Sequence, residues 1–184
     1  MGQDARISPA LPPYSEAVQA QFDRLMPPGV PPLALFSTLA RDERLFRKFM
    51  SAGLLDRGHL SLRDREIAID RTTAICGSEY EWGVHITFFA EKVGLTPDQV
   101  SQTTRDVSDA AGWSPRDLLI IRLMDSLHQT ATIEDALWDD LAAEFSEGAL
   151  MELLMLAGFY HTVSYLTNGL RLPLEDWAAR FPDS

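Results

Sequence analysis

The sequence predicts an all-α fold in a single domain, and three observations support this. Apolar residues recur at helical spacing along most of the chain. Thr96-Pro97 and Ser114-Pro115 each put a capping residue before a proline at the first helical position. Alternating apolar and polar runs joined by tight Asn-Gly or Asp-Gly turns, which would predict strands, are absent from the sequence.

A proline-rich arm is predicted ahead of the main helical region. Its prolines bracket one helix, predicted over residues 14–26, whose apolar face carries Val18, Phe22, Leu25 and Met26. We therefore divide the chain into an N-terminal arm, residues 1–32, and an all-α domain, residues 33–184. Because the arm helix has an apolar face to bury, we expect the arm to lie on the main body or on a neighbouring subunit.

The later helices are predicted from their caps and their apolar periodicity. Two short helices, over residues 33–40 and 42–52, precede a helix that the capping box Ser61-Leu-Arg-Asp64 begins and Gly77 ends. Ser78 begins the next helix, which is predicted to end at Gly94. Further helices follow from Pro97 and from Pro115, over residues 134–145, and over the mostly apolar residues 147–170. Short loops between them predict antiparallel packing.

Composition and charge exclude several kinds of partner. The net charge is −11 and the sequence holds no run of Lys and Arg, so we expect neither nucleic acid nor anionic membrane as a partner. Cys76 is the one cysteine, which excludes an intramolecular disulfide and favours a cytoplasmic location. No signal peptide is apparent, and the apolar run from Leu150 to Leu156 is too short to span a bilayer.

The chemistry is concentrated where one predicted helix ends and the next begins. Glu66 lies on the first helix, while Ser78, Glu81 and His85 share one face of the second. If the two helices fold back on each other, Glu66 meets Glu81 and His85 from the opposite side. Two carboxylates and an imidazole in an apolar setting predict a proton-transfer site, because burial moves such pKa values toward neutrality.

A structural interpretation of the same residues stays open. Ser78 and Glu81 have the spacing of a capping box, and His85 fits a core histidine whose ring bonds a carbonyl. On this interpretation the protein is a non-catalytic helical oligomer, and its polar cluster is a structural network.

Other polar residues allow weaker hypotheses. A metal centre needs at least three ligands, and Glu81 with His85 supplies two, with Glu66 or His161 as a third; we predict no metal and no cofactor. Cys76 is interpreted as a small buried hydrophobe, the alternative being a reactive thiol. The last helix carries a second polar cluster, formed by Tyr160, His161, Tyr165 and Asn168, of which the last three share a face. This cluster fits either a cavity or a contact at a helix end or between subunits. His59 and His128 are predicted at the surface without a role.

These residues resemble the carboxymuconolactone decarboxylase superfamily, which also contains the AhpD-type alkylhydroperoxidases. The resemblance is strong over residues 62–95 and weaker along the last helix. The peroxidase branch carries Glu, Cys, Cys and His at this spacing; Glu66 and His85 match the outer positions, whereas Ser78 and Glu81 replace the cysteines. The resemblance implies an AhpD-like helical bundle, and the replacements argue against disulfide cycling.

The resemblance to the decarboxylase branch also implies a function. It implies a lyase-type enzyme without a cofactor that performs acid/base chemistry on a small lactone or carboxylic acid, with Glu66, Glu81 and His85 as proton carriers. Substrate binding falls to five further residues, of which Arg71 is the nearest candidate to hold a carboxylate: Arg71, Ser78, Tyr80, Trp82 and His161. Family members assemble with themselves, so we expect a homo-oligomer between dimer and hexamer. The alternatives are a non-catalytic oligomer and a peroxidase-like protein that lacks disulfide cycling.

Overall fold

The computed structural model describes residues 5–105, 107 and 112–182. Over these residues the chain forms nine α-helices and no strand, which confirms the predicted all-α fold. The first four residues of the predicted arm and the last two of the predicted domain lie outside the described residues. The helices are α1 (Glu16–Leu25), α2 (Ala34–Leu39), α3 (Glu43–Ala52), α4 (Leu62–Ile75), α5 (Glu79–Phe89), α6 (Pro97–Gln102), α7 (Pro115–Thr130), α8 (Asp135–Glu144) and α9 (Glu147–Leu170).

Helix boundaries follow the capping residues that the sequence offers. Ser61, Thr96 and Ser114 each accept a hydrogen bond from the third residue of their helix, whose side chain bonds back to the cap. At the end of α4 the backbone of Gly77 adopts a φ of +64°, which glycine tolerates without a steric penalty. The chain therefore reverses within a few residues, and α5 packs directly against α4.

Helix α4 is the centre of the bundle and packs against α5, α7 and α9. Its residues Ile67 and Ala68 belong to the apolar core shared with α7, while Ile69 belongs to the core shared with α5 and α9. Because α4 is enclosed on several sides, its polar residues Glu66 and Asp70 are also buried. A buried carboxyl group needs a hydrogen-bonding or charged partner, or it must be uncharged.

The N-terminal arm lies on the main body of its own chain. The Phe22 ring of α1 packs edge-on against Tyr14 and against Phe46 of α3. Ahead of α1, the backbone N–H of Arg6 donates to the carbonyl of Leu170 over 2.8 Å. Of the two positions expected for the arm, the main body is the one observed.

The residues after α9 return along α5 and close one of its sides. The backbone N–H of Ala179 donates to the carbonyl of Gly83 over 3.3 Å. A side chain at position 83 would come within 2.2 Å of the Ala179 carbonyl oxygen, so glycine is required for this approach. The ring of Trp82 packs against Phe181 at 5.0 Å.

Helix α9 is long and apolar enough, by length and composition, to cross a membrane. The apolar run from Leu150 to Leu156 is only part of this helix, so the expectation that the run is too short to span a bilayer does not extend to the whole of α9. Core helices of soluble proteins meet the same criterion, and α9 buries Leu153, Leu156 and Tyr160 in the bundle. One such helix is weak evidence for a membrane span, and its packing is that of a core helix.

Candidate active site

The reversal at Gly77 brings together the three residues that the sequence singled out for proton transfer. His85 Nδ1 lies 2.7 Å from Glu66 Oε2, across the interface between α4 and α5. On the other side of the ring, His85 Nε2 lies 3.4 Å from Glu81 Oε1, one turn earlier on α5. All three side chains are buried. The imidazole is therefore held between two carboxylates out of contact with bulk water.

Tyr160 of α9 completes this group, although the sequence placed it in the polar cluster of the last helix and not with Glu66, Glu81 and His85. Its hydroxyl lies 3.2 Å from His85 Nε2, and the two rings meet edge to face with centroids 5.3 Å apart. The sequence signal was a tyrosine within an apolar stretch of a core helix. That signal indicates a buried hydroxyl that needs a partner, but it does not identify the partner.

Asp70 is a second residue that the sequence analysis missed. It lies one turn after Glu66 on α4, and one donor atom each of Glu66, Asp70 and His85 lie within 4.8 Å of one another. Burial raises the Asp70 pKa well above its usual value, against the charge of His85, which lowers it. Its Oδ1 atom has no hydrogen-bond partner in the described chain. Burial thus favours the protonated, uncharged form of Asp70 beside the Glu66–His85 pair.

The carboxylates keep His85 protonated at neutral pH. Burial alone lowers the pKa of an imidazole, but hydrogen bonds and charge from Glu66 and Glu81 outweigh it and raise the pKa of His85 to about 10. Both ring nitrogens then carry hydrogen: Nδ1 donates to Glu66, and Nε2 faces Glu81 and the oxygen of Tyr160. His85 is therefore a proton donor in the resting protein.

Protonation of His85 also orients the tyrosine hydroxyl. Burial and the negative charges of Glu81 and Glu66 raise the pKa of Tyr160 well above its usual value, so the phenol keeps its proton. Because His85 Nε2 donates, the Tyr160 oxygen accepts, and the phenolic hydrogen is available to an oxygen in the adjacent cavity. Glu81 Oε2, in contrast, has no hydrogen-bond partner among the described residues.

A cavity of about 320 Å³ opens beside these groups. Its polar residues are Glu81, His85 and Tyr160, and no Lys or Arg is found among its described lining residues. The arm contributes to the wall through the end of α1. The apolar lining comprises Leu25, Met26, Pro27, Leu33, Phe36, Phe49, Met50, Leu55, Val84, Phe88, Phe89, Phe159 and Val163. A mostly apolar cavity with polar groups in one place suits a small ligand with one polar end.

Arg71 and Ser78, two of the five predicted substrate-binding residues, do not line this cavity. Arg71 is paired with Asp125 of α7, whose carboxylate lies 2.6 Å from Nε, and also donates to the carbonyl of Thr103. Arg71 therefore connects α4 to α7 and to the end of α6, and its guanidinium group is not available to bind the carboxylate of a substrate. Ser78 precedes α5 as predicted, but its hydroxyl bonds Thr167 over 2.8 Å, so the proposed capping box is wrong.

Tyr80, Trp82 and His161 do not line the cavity either. The Tyr80 hydroxyl donates to Glu175 over 2.6 Å, and Trp82 Nε1 donates to Thr103. His161 lies beside His128 at a separate place on α9. Helical spacing groups residues by face, but α5 is buried on most sides, so spacing could not identify the face that borders the cavity.

The described residues include two groups with metal-ligand side chains close together. One is Glu66, Asp70 and His85, in which His85 Nδ1 already bonds Glu66 inside the core. The other is Cys76, His128 and His161, which is partly open to solvent. Cys76 does not line the cavity, and burial raises the pKa of its thiol, so it is not an activated nucleophile there.

Comparisons with known proteins agree with this architecture. Residues 43–119 match the sequence model of the Carboxymuconolactone decarboxylase family, a region that contains Glu66, Glu81 and His85. No curated protein matches the chain. The superfamily resemblance predicted from the sequence is thereby confirmed.

Solved structures with the same fold span nearly the whole chain. An uncharacterized peroxidase-related protein from Silicibacter sp. TM1040 has a TM-score of 0.79 at 16% identity, covering 98% of this chain and 95% of its own. A similar AhpD-core protein from Ralstonia eutropha JMP134 has a TM-score of 0.79 at 17% identity, covering 92% of this chain and 93% of its own. A variant of the debrominase Bmp8 in complex with 2,3,4-tribromopyrrole has a TM-score of 0.70 at 13% identity, covering 96% and 95%. At these identities the likeness concerns the fold.

Proposed function

We propose that the protein catalyses proton transfer on a small carbonyl compound without a cofactor, a proposal supported by the match of residues 43–119 to the Carboxymuconolactone decarboxylase family model. The observation that carries the proposal is the meeting of a base and a donor at one cavity. Glu81 is the base, and the Tyr160 hydroxyl, whose oxygen accepts from the His85 imidazolium, is the donor. Glu66 holds His85 in place and in its charged form.

The arrangement supports formation of an enol or enolate. A carbonyl oxygen that accepts the Tyr160 hydroxyl hydrogen is polarised by this bond, which the His85 imidazolium behind the hydroxyl strengthens, and the pKa of the neighbouring C–H falls. Glu81 Oε2, which has no partner in the described chain, takes that proton and returns it to the same or a conjugated carbon. Decarboxylation uses the same groups: the electron pair of the breaking C–C bond moves toward the hydrogen-bonded oxygen, carbon dioxide leaves, and a donor protonates the carbon.

The cavity favours a ligand with at most one carboxylate. Its described lining has no Lys or Arg, and Glu81 repels a second negative charge. We therefore propose small lactones, unsaturated monocarboxylic acids and related cyclic carbonyl compounds as the substrate class. The Bmp8 complex supports the size of such a ligand, because a similar fold there holds a single five-membered ring.

Peroxide reduction by a pair of thiols is not part of this proposal. The chain has one cysteine, Cys76, so it cannot form a disulfide within itself. That residue does not line the cavity, and Ser78 and Glu81 occupy the positions of the peroxidase cysteines.

The test is exchange of substrate protons with solvent deuterium, followed by proton NMR. A panel of lactones, unsaturated monoacids and cyclic ketones is incubated with the protein in D₂O, and carbon dioxide release is measured in parallel. Glu81→Gln removes the base and should slow exchange by about 10²–10⁴-fold, the usual contribution of a positioned acid or base. His59→Gln, a histidine outside the cavity lining, is the matched control and should keep the full rate.

Two outcomes would count against the proposal. Equal exchange in wild type and Glu81→Gln would remove Glu81 from the mechanism. Failure of every compound to exchange, to release carbon dioxide or to raise the melting temperature would favour the non-catalytic alternative, in which the polar cluster serves stability alone.

We also infer that the protein assembles with itself through the outer side of α9. Met151, Met155 and Tyr165 lie along this side and are 60%, 58% and 69% exposed, so the outer side of α9 presents several large side chains to a partner. Light scattering coupled to gel filtration measures the mass directly, and we expect Met155→Lys to lower it. A monomer in wild type would contradict this inference.

A further inference from the structure

Cys76, His128 and His161 form a cluster that the proposed reaction does not use. Cys76 caps the end of α4, His128 lies in the last turn of α7 and His161 lies in the middle of α9. His128 Nδ1 lies 3.1 Å from His161 Nε2 and 3.8 Å from Cys76 Sγ. One donor atom of each residue therefore points to a common space, although the three residues are far apart in sequence.

The tautomer of His161 is fixed by the backbone of its own helix. His161 Nδ1 lies 2.8 Å from the carbonyl oxygen of Ala157, which can only accept, so Nδ1 carries hydrogen. In the neutral ring Nε2 then carries a lone pair, which is directed toward His128 and Cys76. A histidine ligand whose other nitrogen donates to a carbonyl is the usual arrangement around protein-bound metals.

The backbone of Cys76 is also held in place. Asn168 of α9 donates from Nδ2 to the Cys76 carbonyl over 2.9 Å, which ties the end of α4 to α9 next to the cluster. Cys76 and His161 are half-buried and His128 is exposed, so the cluster is reachable from solvent. Two of the three donor positions are thus set by contacts that do not involve the donors themselves.

The separations suit a tetrahedral ion. With Zn–N of about 2.0–2.1 Å and Zn–S of about 2.3 Å, ligand atoms around tetrahedral zinc lie roughly 3.3–3.6 Å apart. The observed 3.1 and 3.8 Å lie close to these values, and all three donor atoms lie within 4.8 Å of one another. Small side-chain rotations that move the donor atoms by a few tenths of an ångström bring them to the separations of a tetrahedral zinc site.

We propose that Cys76, His128 and His161 bind a divalent zinc-class cation, with water as the fourth ligand. On binding, the thiol releases its proton to solvent and the sulfur bonds the ion as thiolate. The hydrogen that joins His128 Nδ1 to His161 in the free protein is lost from Nδ1, and His128 carries its hydrogen on Nε2 instead. The preference for zinc rather than magnesium or calcium follows from one sulfur and two nitrogen donors.

This site is separate from the proposed reaction. None of its residues lines the cavity, and none bonds Glu66, Glu81 or His85 among the contacts of the described chain. It joins the ends of α4 and α7 to α9, so a bound ion cross-links three core helices. The expected effect is higher stability of the folded chain.

Cobalt titration of the untagged full-length chain tests the proposal. Co²⁺ replaces zinc in such sites and has a thiolate-to-cobalt charge-transfer band in the near ultraviolet as well as visible bands typical of tetrahedral geometry. We expect both, at one ion per chain, and we expect Zn²⁺ to displace the cobalt and raise the melting temperature. The charge-transfer band identifies the site, because Cys76 is the one cysteine in the sequence and so the one source of a thiolate ligand.

Variants separate this site from other metal-binding residues. Cys76→Ser should abolish the charge-transfer band, and His128→Ala, at an exposed position, should weaken Zn²⁺ binding by at least about tenfold. His59→Ala is the matched control and should bind as wild type. Absence of the band in wild type, or unchanged binding in His128→Ala, would overturn the proposal. Binding that disappears in His85→Gln but survives in His128→Ala would assign the ion to the Glu66–His85 cluster and overturn it equally.

Discussion

The two histidine clusters use the same side chain in opposite ways. His85 is enclosed in the core between two carboxylates, one 2.7 Å from Nδ1 and one 3.4 Å from Nε2. His161 is half-buried, and its Nδ1 bonds a backbone carbonyl over 2.8 Å. The carboxylates raise the pKa of His85 to about 10, so both of its nitrogens donate. Because the carbonyl holds the hydrogen on Nδ1 of His161, its Nε2 atom keeps a lone pair.

The difference shows that the partner decides the chemistry of an imidazole, and burial alone does not. A carboxylate gains energy from a charged ring, so it makes a proton donor even inside the core. A neutral carbonyl fixes one hydrogen and leaves a ligand atom free to bind a cation. Helix α9 contributes to both clusters through consecutive residues, Tyr160 to the first and His161 to the second.

Removal of Glu66 should have the largest effect on stability. Glu66→Ala leaves the imidazole of His85 in the core without its closest charge partner, and breaking a buried ion pair costs about 3–5 kcal/mol. His161→Ala, at the half-buried cluster, should cost less than about 1 kcal/mol. Urea unfolding followed by circular dichroism measures both free energies. Equal losses for the two variants would remove the distinction between the clusters.

The pH dependence of stability should identify the charged histidine. Because the folded pKa of His85 lies above its unfolded value of 6.5, its contribution is complete below about pH 6.5 and is lost as pH rises through about 10. Over this interval the free energy of unfolding should fall in wild type relative to His85→Gln, with a slope of at most about 1.4 kcal/mol per pH unit for one proton. Parallel curves for the two proteins would mean that His85 is neutral when folded.

Asp70 should lower the stability of the folded protein at neutral pH rather than raise it. The unfolded chain ionises this carboxyl at neutral pH, whereas burial keeps it protonated in the folded protein, so folding must take up a proton. Asp70→Asn replaces the neutral acid with a neutral amide of the same shape. We expect the variant to be more stable than wild type near pH 8, by about 1.4 kcal/mol for each unit by which burial raises the Asp70 pKa, with a smaller difference near pH 4. Destabilisation near pH 8 would show that the carboxylate is ionised and paired.

The sequence could predict the Glu66–His85 meeting because local signals determine it. The capping box at Ser61, the glycine at position 77 and the spacing of Glu81 and His85 all act within a few residues. Asp70 was also within reach, since it follows Glu66 by one turn on the same helix. It was not identified because α4 is buried on most sides, and helical spacing alone does not show this.

The cavity itself could not be predicted from the sequence. Its walls come from the arm, α2, α3, α5 and α9, so its location depends on contacts between distant segments. Tyr80 and Trp82 are aromatic and flank Glu81, yet they point to the C-terminal segment, where Glu175 and Phe181 receive them. Cys76, His128 and His161 likewise converge only when three helices pack. In each case the sequence shows that a polar or aromatic side chain is present, but it does not show which distant residue that side chain contacts.

The smallest expected effect is the coupling between the two clusters. His85 and His161 share no hydrogen-bond partner in the described chain, although α9 supplies a residue to each cluster. Residues that share no partner and act independently usually add within about 0.3–0.5 kcal/mol. The free energies of unfolding of His85→Gln, His161→Ala and the double variant give this coupling directly. A value above about 1 kcal/mol would show that α9 transmits strain between the clusters, and zinc binding would then be expected to alter proton transfer.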